Sequence, residues 1–450
     1  MRRSLASISL FASVLAGSGP IASGQSATET SNVLFVVADD LGVDMLATYG
    51  VGSDTPTTPT LDSLVTDGIR FENFWSYPVC SPARAAMMTG RHGHRTGIGK
   101  AIASDNEYAL PLSETILPEV LSSSPAPLAH AVIGKWHLSN ATVGGDDAPN
   151  LAGVGHYEGI LDYPDYYNWT KVLNGTRIPS TTYLTTDQVD SAAAWIQQQE
   201  EEATPWVCFL NFSAPHDPWH TPPAGLYTTD LTGLDSATQP RPFYKAAIEA
   251  MDAELGRLLQ ELGTVMDRTT VVFLGDNGTP GEVIAPPLDP SHGKLTVYEG
   301  GVNVPLIVSG ALVERPGTTC DDLISAVDLF PTIAELAGVS LSEALPPGLR
   351  IDGKSFRDAL RTPDPMRGSR GQALSIYSQY FSPNGFAPTT RREAVREPRY
   401  KLIRYSTGRE ELYDLLVDPV ERFNLLLGAL SPAEASAYAR LVTAMARANR

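Results

Sequence analysis

Five short, largely apolar and β-branched runs punctuate the chain, at residues 33–38, 129–133, 207–212, 270–274 and 305–308. They read as buried strands. Between them, apolar positions recur at helical spacing over residues 60–66, 186–199, 244–262 and 326–337. In the third of these, Ala247, Met251, Leu255, Leu258, Leu259 and Leu262 fall roughly on one face. Strands alternating with helices predict an α/β sheet covered by helices. After about residue 367 the texture changes. Residues 374–381, 393–405 and 411–416 read as short strands of a mostly antiparallel sheet, followed by a terminal helix from about Pro432. The Pro/Gly-rich stretch at 346–353 and the segment 361–371 can carry the join.

Polar residues cluster where the predicted strands end. The first run ends in Asp39-Asp40, the second leads into Gly134-Lys135-Trp136-His137, the third passes through Ser213-Ala214-Pro215 to His216, and the fourth ends in Asp276-Asn277-Gly278. In an open α/β sheet, ligands sit outside the carboxyl ends of the strands, so these turns can converge on one crevice. Asp39, Asp40, Asp276 and Asn277 supply hard oxygen ligands suited to Ca²⁺ or Mg²⁺. Singly, each cluster also fits a helix cap or a plain turn. Two clusters at strand ends favour a cation, because adjacent carboxylates repel unless something neutralises them.

Composition narrows the partners. The 450 residues are 42% hydrophobic and 19% charged, an ordinary globular balance with room for a large domain and a smaller one. The net charge of −18 opposes a nucleic-acid partner, and it means that an anionic substrate needs cations concentrated at the site. At the N-terminus, Arg2 and Arg3 precede an apolar stretch from Leu5 to about Leu15, with Ala22 and Gly24 set for cleavage before Gln25. This reads as a secretory leader, too short to span a bilayer, and its removal leaves a charge of about −20. The expectation is an exported protein, periplasmic or extracellular, with no membrane span after leader removal. Three cysteines, Cys80, Cys208 and Cys320, are too few for a disulfide framework and point to a free or chemically special thiol. Cys208, inside an apolar run, reads as core. The Asn-x-Ser/Thr sites at Asn140, Asn168, Asn174, Asn211 and Asn277 are weak glycosylation signals, since one is a candidate metal ligand and another lies in a predicted strand.

The strongest chemical signal is Val79-Cys80-Ser81-Pro82-Ala83-Arg84, extended through Thr89-Gly90-Arg91. A bare C-x-P-x-R arises by chance in roughly one chain per hundred of this composition, and the extension removes most of that chance. The stretch resembles the signature of sulfatases, in which the cysteine is oxidised to formylglycine. Residues 32–42, Thr58-Pro59-Thr60-Leu61-Asp62-Ser63-Leu64 with Gly68-Ile69-Arg70-Phe71, and Gly134-Lys135-Trp136-His137-Leu138 are similar to further family motifs. So are Pro215-His216-Asp217-Pro218, Gly275-Asp276-Asn277-Gly278, Gly293-Lys294 with Tyr298-Glu299-Gly300-Gly301, and Glu411-Leu412-Tyr413-Asp414-Leu415 with Asp418-Pro419, Glu421 and Asn424-Leu425. The likeness runs from about residue 31 to 426.

The resemblance implies an alkaline-phosphatase-like mixed sheet sandwiched by helices, with a smaller C-terminal α+β subdomain carrying an antiparallel sheet. The divisions are a signal peptide at 1–24, a catalytic domain at 31–366 and the subdomain at 367–450. It also implies that Asp39, Asp40, Asp276, Asn277 and the modified Cys80 bind one Ca²⁺, in preference to Mg²⁺. Arg84 would hold the formylglycine hydrate, and Lys135 and Lys294 would contact the sulfate oxygens. His137 would act on the nucleophile side, and His216 would protonate or orient the leaving oxygen. The implied partners are a sulfated small molecule or saccharide and a formylglycine-generating or sulfatase-maturating enzyme. The chemistry fits the residues: a sulfate ester develops charge on its oxygens, so fixed cations matter more than strong bases. One hydroxyl of an aldehyde hydrate attacks sulfur, and the other expels sulfate and regenerates the aldehyde.

Other residues stand less clearly. His292 is a candidate for the pocket, His92, His94 and His220 read as surface or supporting residues, and His130 and His156 as structural. Ser139-Asn140 replaces the glycine that commonly follows the second motif, and from there to about Tyr183 no likeness is found. That loop is expected to shape the substrate pocket. Two rival functions remain: a phosphonate or phosphate monoester hydrolase with the same nucleophile, and an inactive binder of sulfated glycans.

Overall fold

The computed structural model describes residues 31–161, 163, 165–361 and 375–450. Among the described residues, ten strands form the main sheet: β1 (Asn32–Ala38), β2 (Gly68–Trp75), β3 (Ala129–Lys135), β4 (His156–Ile160), β5 (Trp169–Leu173), β6 (Thr176–Ser180), β7 (Trp206–Asn211), β8 (Thr269–Gly275), β9 (Leu306–Gly310) and β10 (Thr318–Ser325). Their spatial order is β10-β2-β9-β8-β1-β7-β3-β4-β5-β6. The run β8-β1-β7-β3-β4 is parallel. Strand β9 lies antiparallel to both its neighbours, and the β5–β6 hairpin closes one edge. The sheet is mixed, as the family resemblance implies.

Strand β1 shows why its sequence is apolar from Val33 onward. Val33, Phe35 and Val37 enter one core with Phe209, Val272 and Leu274, under helices Cys80–Thr89 and Leu329–Leu336. Leu34, Val36 and Ala38 enter the opposite core with Leu210 and Phe273, under helices Leu184–Glu201 and Pro240–Leu262. Each large side chain buried this way contributes roughly 1.5–3 kcal/mol, and a strand covered on both faces leaves little room for polar residues except near its ends.

A second sheet holds β11 (Ile376–Ser382), β12 (Thr390–Arg396), β13 (Tyr400–Tyr405) and β14 (Glu410–Asp414), all antiparallel. One face packs on Trp75, Tyr298 and Val302 of the main body. The other packs on helix Pro432–Ala448 through Leu441 and Met445, and Ser431 and Glu434 close that helix's start as a capping box.

Several expectations need correction. The strand expected over 393–405 is a hairpin, turned at Glu397-Pro398-Arg399, where Pro398 lacks the N–H that a ladder needs. The helix expected over 326–337 begins as a short 3₁₀ turn, Ala326–Asp328, before the α-helix Leu329–Leu336. Helix Pro240–Leu262 starts four residues earlier than its apolar stripe, since Pro240 and Pro242 fit a first turn. Strand β10 escaped prediction because Thr318, Thr319, Asp321 and Asp322 face the sheet's rim. The proposed leader, and nearly all of the join at 361–371, lie outside the described residues. Among the described residues, no helix is long and apolar enough to cross a membrane.

Candidate active site

Four strand ends and one helix start meet at a single point. Asp39 and Asp40 follow β1, Lys135 ends β3, His216 follows β7 and Asp276 with Asn277 follows β8. Cys80 is the first residue of helix Cys80–Thr89, whose ten residues are all buried. Pro82 occupies the first turn, where a missing N–H costs nothing. The backbone is bent to fit: Asp40 has φ 70° and His137 φ 58°, conformations that L-residues adopt only when their surroundings hold them. Gly134 has φ 102°, and a Cβ there would lie 2.0 Å from the carbonyl oxygen of Asn211, so the turn into Lys135 needs glycine.

The side chains form a buried lattice of opposite charges. Asp39, Asp40 and Asp276 are fully buried. Arg84 donates from Nε and a terminal nitrogen to one Asp276 oxygen, at 3.1 and 2.9 Å, and from its other terminal nitrogen to the Lys135 carbonyl at 3.0 Å. The ammonium of Lys135 contacts Asp39, and that of Lys294 lies 2.6 Å from an Asp40 oxygen. Asn277 donates to the other Asp40 oxygen at 2.8 Å, and the Asp40 N–H donates to Asp276 at 3.0 Å. Cys80 Sγ sits 3.9 Å from Asp40 Oδ1, and His216 Nε2 lies 3.7 Å from Asp40 Oδ2.

Protonation follows from these neighbours. Burial alone would push Asp39 upward, but Lys135, His216 and Arg84 overcome it and hold the carboxyl well below its ordinary range. Burial and then Asp39 push Asp276 upward, against Arg84. Burial and Asp39 together push the Cys80 thiol well above its ordinary value, so an unmodified cysteine here is a protonated, weak nucleophile. His137 is held well below its ordinary value by burial and then by Lys135. Its Nε2 pairs with the Ile102 carbonyl at 3.2 Å, which assigns the ring proton there and leaves Nδ1 as an acceptor without a hydrogen-bond partner. His216 directs Nδ1 to the Asp217 carbonyl at 2.7 Å, leaving Nε2 toward the carboxylates.

The cluster fits a divalent cation. One oxygen of each of Asp39, Asp40, Cys80 Sγ and a His216 nitrogen lie within 4.8 Å of one another. Asp39 Oδ1 and Asn277 Oδ1 are buried with no hydrogen-bond partner, a cost that natural interiors seldom carry. Oxygens of this kind suit Ca²⁺ or Mg²⁺.

Each residue expected to bind metal or act in catalysis therefore lies in this lattice or at its edge, whereas the further pocket candidate, His292, does not. It stacks on Tyr298 at 3.6 Å and lines a separate cleft of about 690 Å³ beside Arg409 and Glu411. His92 and His94 stack under the second sheet against Tyr377. Asn211 and Asn277, both buried, are excluded as glycosylation acceptors. Two contributors went unseen in the sequence: Ser76, whose hydroxyl donates to the Asp276 carbonyl at 2.5 Å, and Tyr244, whose hydroxyl donates to the Asp40 carbonyl at 2.6 Å. Neither sits in a motif, and only tertiary packing brings it near.

A sequence profile of the sulfatase family matches residues 31–339. The chain belongs to the sulfatase family. By that membership it is a sulfuric ester hydrolase. A second profile, described as N-sulphoglucosamine sulphohydrolase, C-terminal, matches residues 291–446. This sulfatase is 30% identical to arylsulfatase A of Bos taurus over 451 residues, covering 90% of this chain and 85% of the relative. It is 29% identical to an uncharacterized sulfatase, YdeN, of Escherichia coli strain K12, covering 78% and 69%. Among solved structures, Ps i-CgsB superposes with a TM-score of 0.79 at 22% identity, covering 93% of each chain. A second, BT4656 in complex with D-glucosamine-2-N,6-O-disulfate, gives 0.72 at 20% identity, covering 93% and 97%. Both are similar in fold.

Proposed function

We propose that this sulfatase hydrolyses a sulfate monoester, aryl or carbohydrate, to an alcohol and inorganic sulfate, using a formylglycine made from Cys80. The observation that carries the reading is the convergence of Arg84, Lys135 and Lys294 on one acidic cluster beside Cys80. In a chain of net charge −18, three cations gathered at one point, two buried and Lys294 partly so, would form an anion site once a metal takes up the acids.

Asp39, Asp40, Asp276 and Asn277 would hold one divalent cation, Ca²⁺ on this reading, with the modified residue 80 beside it. Such an ion supplies Lewis-acid polarisation and lowers the pKa of the nucleophile. Lys135 and Lys294, each now paired with a carboxylate, are placed to turn to the sulfate oxygens once that carboxylate has another counter-charge. Arg84, held from two sides, fixes the hydrate. One hydroxyl of the hydrate would release its proton to water and attack sulfur as the bond from sulfur to the ester oxygen breaks, and His216, charged by a proton taken up on Nε2, would deliver that proton to the departing alcohol. The other hydroxyl then loses its proton to His137 Nδ1, the carbon–oxygen bond to sulfate breaks, and the aldehyde returns. Water restores the hydrate.

The same reading divides the chain into a leader at 1–24, a catalytic domain at 31–366 and a subdomain at 367–450. It also calls for export and for a maturating enzyme that oxidises Cys80. A panel of sulfated saccharides and aryl sulfates, assayed for sulfate release beside matched aryl phosphonates and phosphates, tests the function. Preference for a sulfate ester is expected. Preference for a phosphonate or phosphate overturns it, as does absence of turnover in metal-loaded protein with residue 80 converted.

A further inference from the structure

The segment after Leu138, which resembles no family motif, brings an aromatic strap to the His216 turn. Tyr166 is buried, and its hydroxyl lies within hydrogen-bond reach of the carbonyls of Ser213 and His216, at 2.9 and 2.7 Å. Its ring stacks on His220 at 3.9 Å, and Tyr167 packs on Tyr183 at 5.3 Å while its hydroxyl donates to the Thr221 carbonyl at 2.6 Å. These contacts clamp the strap onto the turn that carries His216. Tyr163 is thereby held edge-on to the His216 ring at 5.5 Å with 62% of its surface exposed, and its hydroxyl donates to the Asp217 carboxylate. Asp217 Oδ1 lies 3.1 Å from His216 Nδ1, and the side chain is 41% exposed.

A buried imidazole aimed at the site therefore borders both an exposed aromatic ring and a half-exposed carboxylate. We infer that Tyr163 and Asp217 form the subsite for the leaving alcohol, and that this alcohol is a pyranose. The inference rests on the sulfate-ester reading above, in which His216 serves the leaving oxygen. The leaving oxygen faces His216 Nε2, so the ring that carries it would extend past the imidazole to reach Asp217 and Tyr163 on the Nδ1 side. A sugar ring presents C–H groups to an aromatic face, and its hydroxyls donate to a carboxylate. A phenol offers no hydroxyl for Asp217, whose charge would then face an apolar ring. Sites built to bond a substrate hydroxyl discriminate strongly against analogues that lack it. A single negative carboxylate at the mouth also disfavours a second sulfate beside the scissile one.

The test compares kcat/KM for monosulfated hexoses and N-acetylhexosamines, differing in sulfate position, with that for 4-nitrophenyl sulfate. It uses wild-type protein, Asp217→Asn and Tyr163→Ala. At least one sugar should exceed the aryl ester in the wild type. Each substitution should lower the sugar-to-aryl ratio about tenfold or more, the scale of one lost bond to a charged group. Equal losses on both substrates overturn the inference while leaving the site reading intact, because Asp217 would then act only through His216. A wild-type preference for the aryl ester over every sugar overturns it too. No sulfate release from any ester overturns both the inference and the reading beneath it.

Discussion

Lys294 places its ammonium 2.6 Å from a carboxylate oxygen of Asp40, although 254 residues separate the two in the chain. Asp40 is fully buried at the end of β1, where an unpaired charge would cost several kcal/mol, and Lys294 reaches it from a partly buried loop position. Each acid of the lattice has a cation, and each cation an acid, so the site stands folded before anything binds. On the proposed mechanism, binding would exchange partners: a metal would take the carboxylates, and a sulfate the lysines.

That exchange predicts how chelation behaves. Dialysis against EDTA should abolish turnover yet leave a cooperative unfolding transition, because the lysines neutralise Asp39 and Asp40. Calcium at a hundredfold excess over its Kd should then restore about 3 kcal/mol of stability. Asp39→Ala should lose the calcium-dependent rise in melting temperature. A rise as large as that of the wild type would remove Asp39 from the ligand set.

His137 has a buried acceptor nitrogen with no partner, so its loss should affect chemistry more than binding. His137→Ala should lower kcat by about 10²–10⁴ with little change in KM, the range for a positioned acid or base. Steady-state kinetics on one sulfate ester decide it. A change confined to KM would assign His137 to binding.

A second buried ionic cluster joins the two sheets. Lys401, fully buried, lies 3.1 Å from Glu299 and 2.8 Å from Glu421, and its ammonium sits 4.7 Å from the centre of the Trp75 ring. Arg396 completes the cluster on Glu299 at 3.1 Å. Lys401→Met should cost about 3–5 kcal/mol in urea unfolding, because it leaves two acids buried with one cation. Wild-type stability in that variant would contradict the cluster's role.

His130 carries a pH signature. Gly155 donates its N–H to Nδ1 at 3.2 Å, and Nε2 lies 2.7 Å from the Ser122 hydroxyl, so the neutral ring is fully used. Burial pulls its pKa down to about 4, whereas in the unfolded chain it titrates near 6.5. On acidification the unfolded state takes the proton first. The stability tied to the neutral ring is therefore present above pH 6.5 and lost progressively towards pH 4, up to about 3 kcal/mol. His130→Gln should flatten the fall in urea midpoint across that window. An unchanged fall would show that other groups cause it.

Much of the site was legible in sequence because its chemistry is local. Cys80 and Arg84 lie one helical turn apart, and Asp39-Asp40, Lys135-Trp136-His137 and Asp276-Asn277 each sit at the end of an apolar run. The central strands β1, β3, β7, β8 and β9 were legible for a similar reason: burial on both faces leaves few polar interruptions. What was not legible depends on contacts made elsewhere. Strands β4 to β6 lie at the sheet's edge, where Glu158, Lys171 and Arg177 need only one covered face, so no apolar run marks them. Tyr163 and Asp217 acquire meaning only when Tyr166 is clamped on the His216 turn. His292 misled by its place in sequence, two residues before Lys294, because its ring packs on Tyr298 instead.

The account turns on the chemical form of residue 80. Peptide mass spectrometry of active protein, read beside sulfate release from the same sample, tests it most directly. The Cys80 peptide should have exchanged its sulfur for an aldehyde oxygen, and turnover should rise with the converted fraction across preparations. Full turnover in protein whose Cys80 is entirely an unmodified thiol would contradict the mechanism.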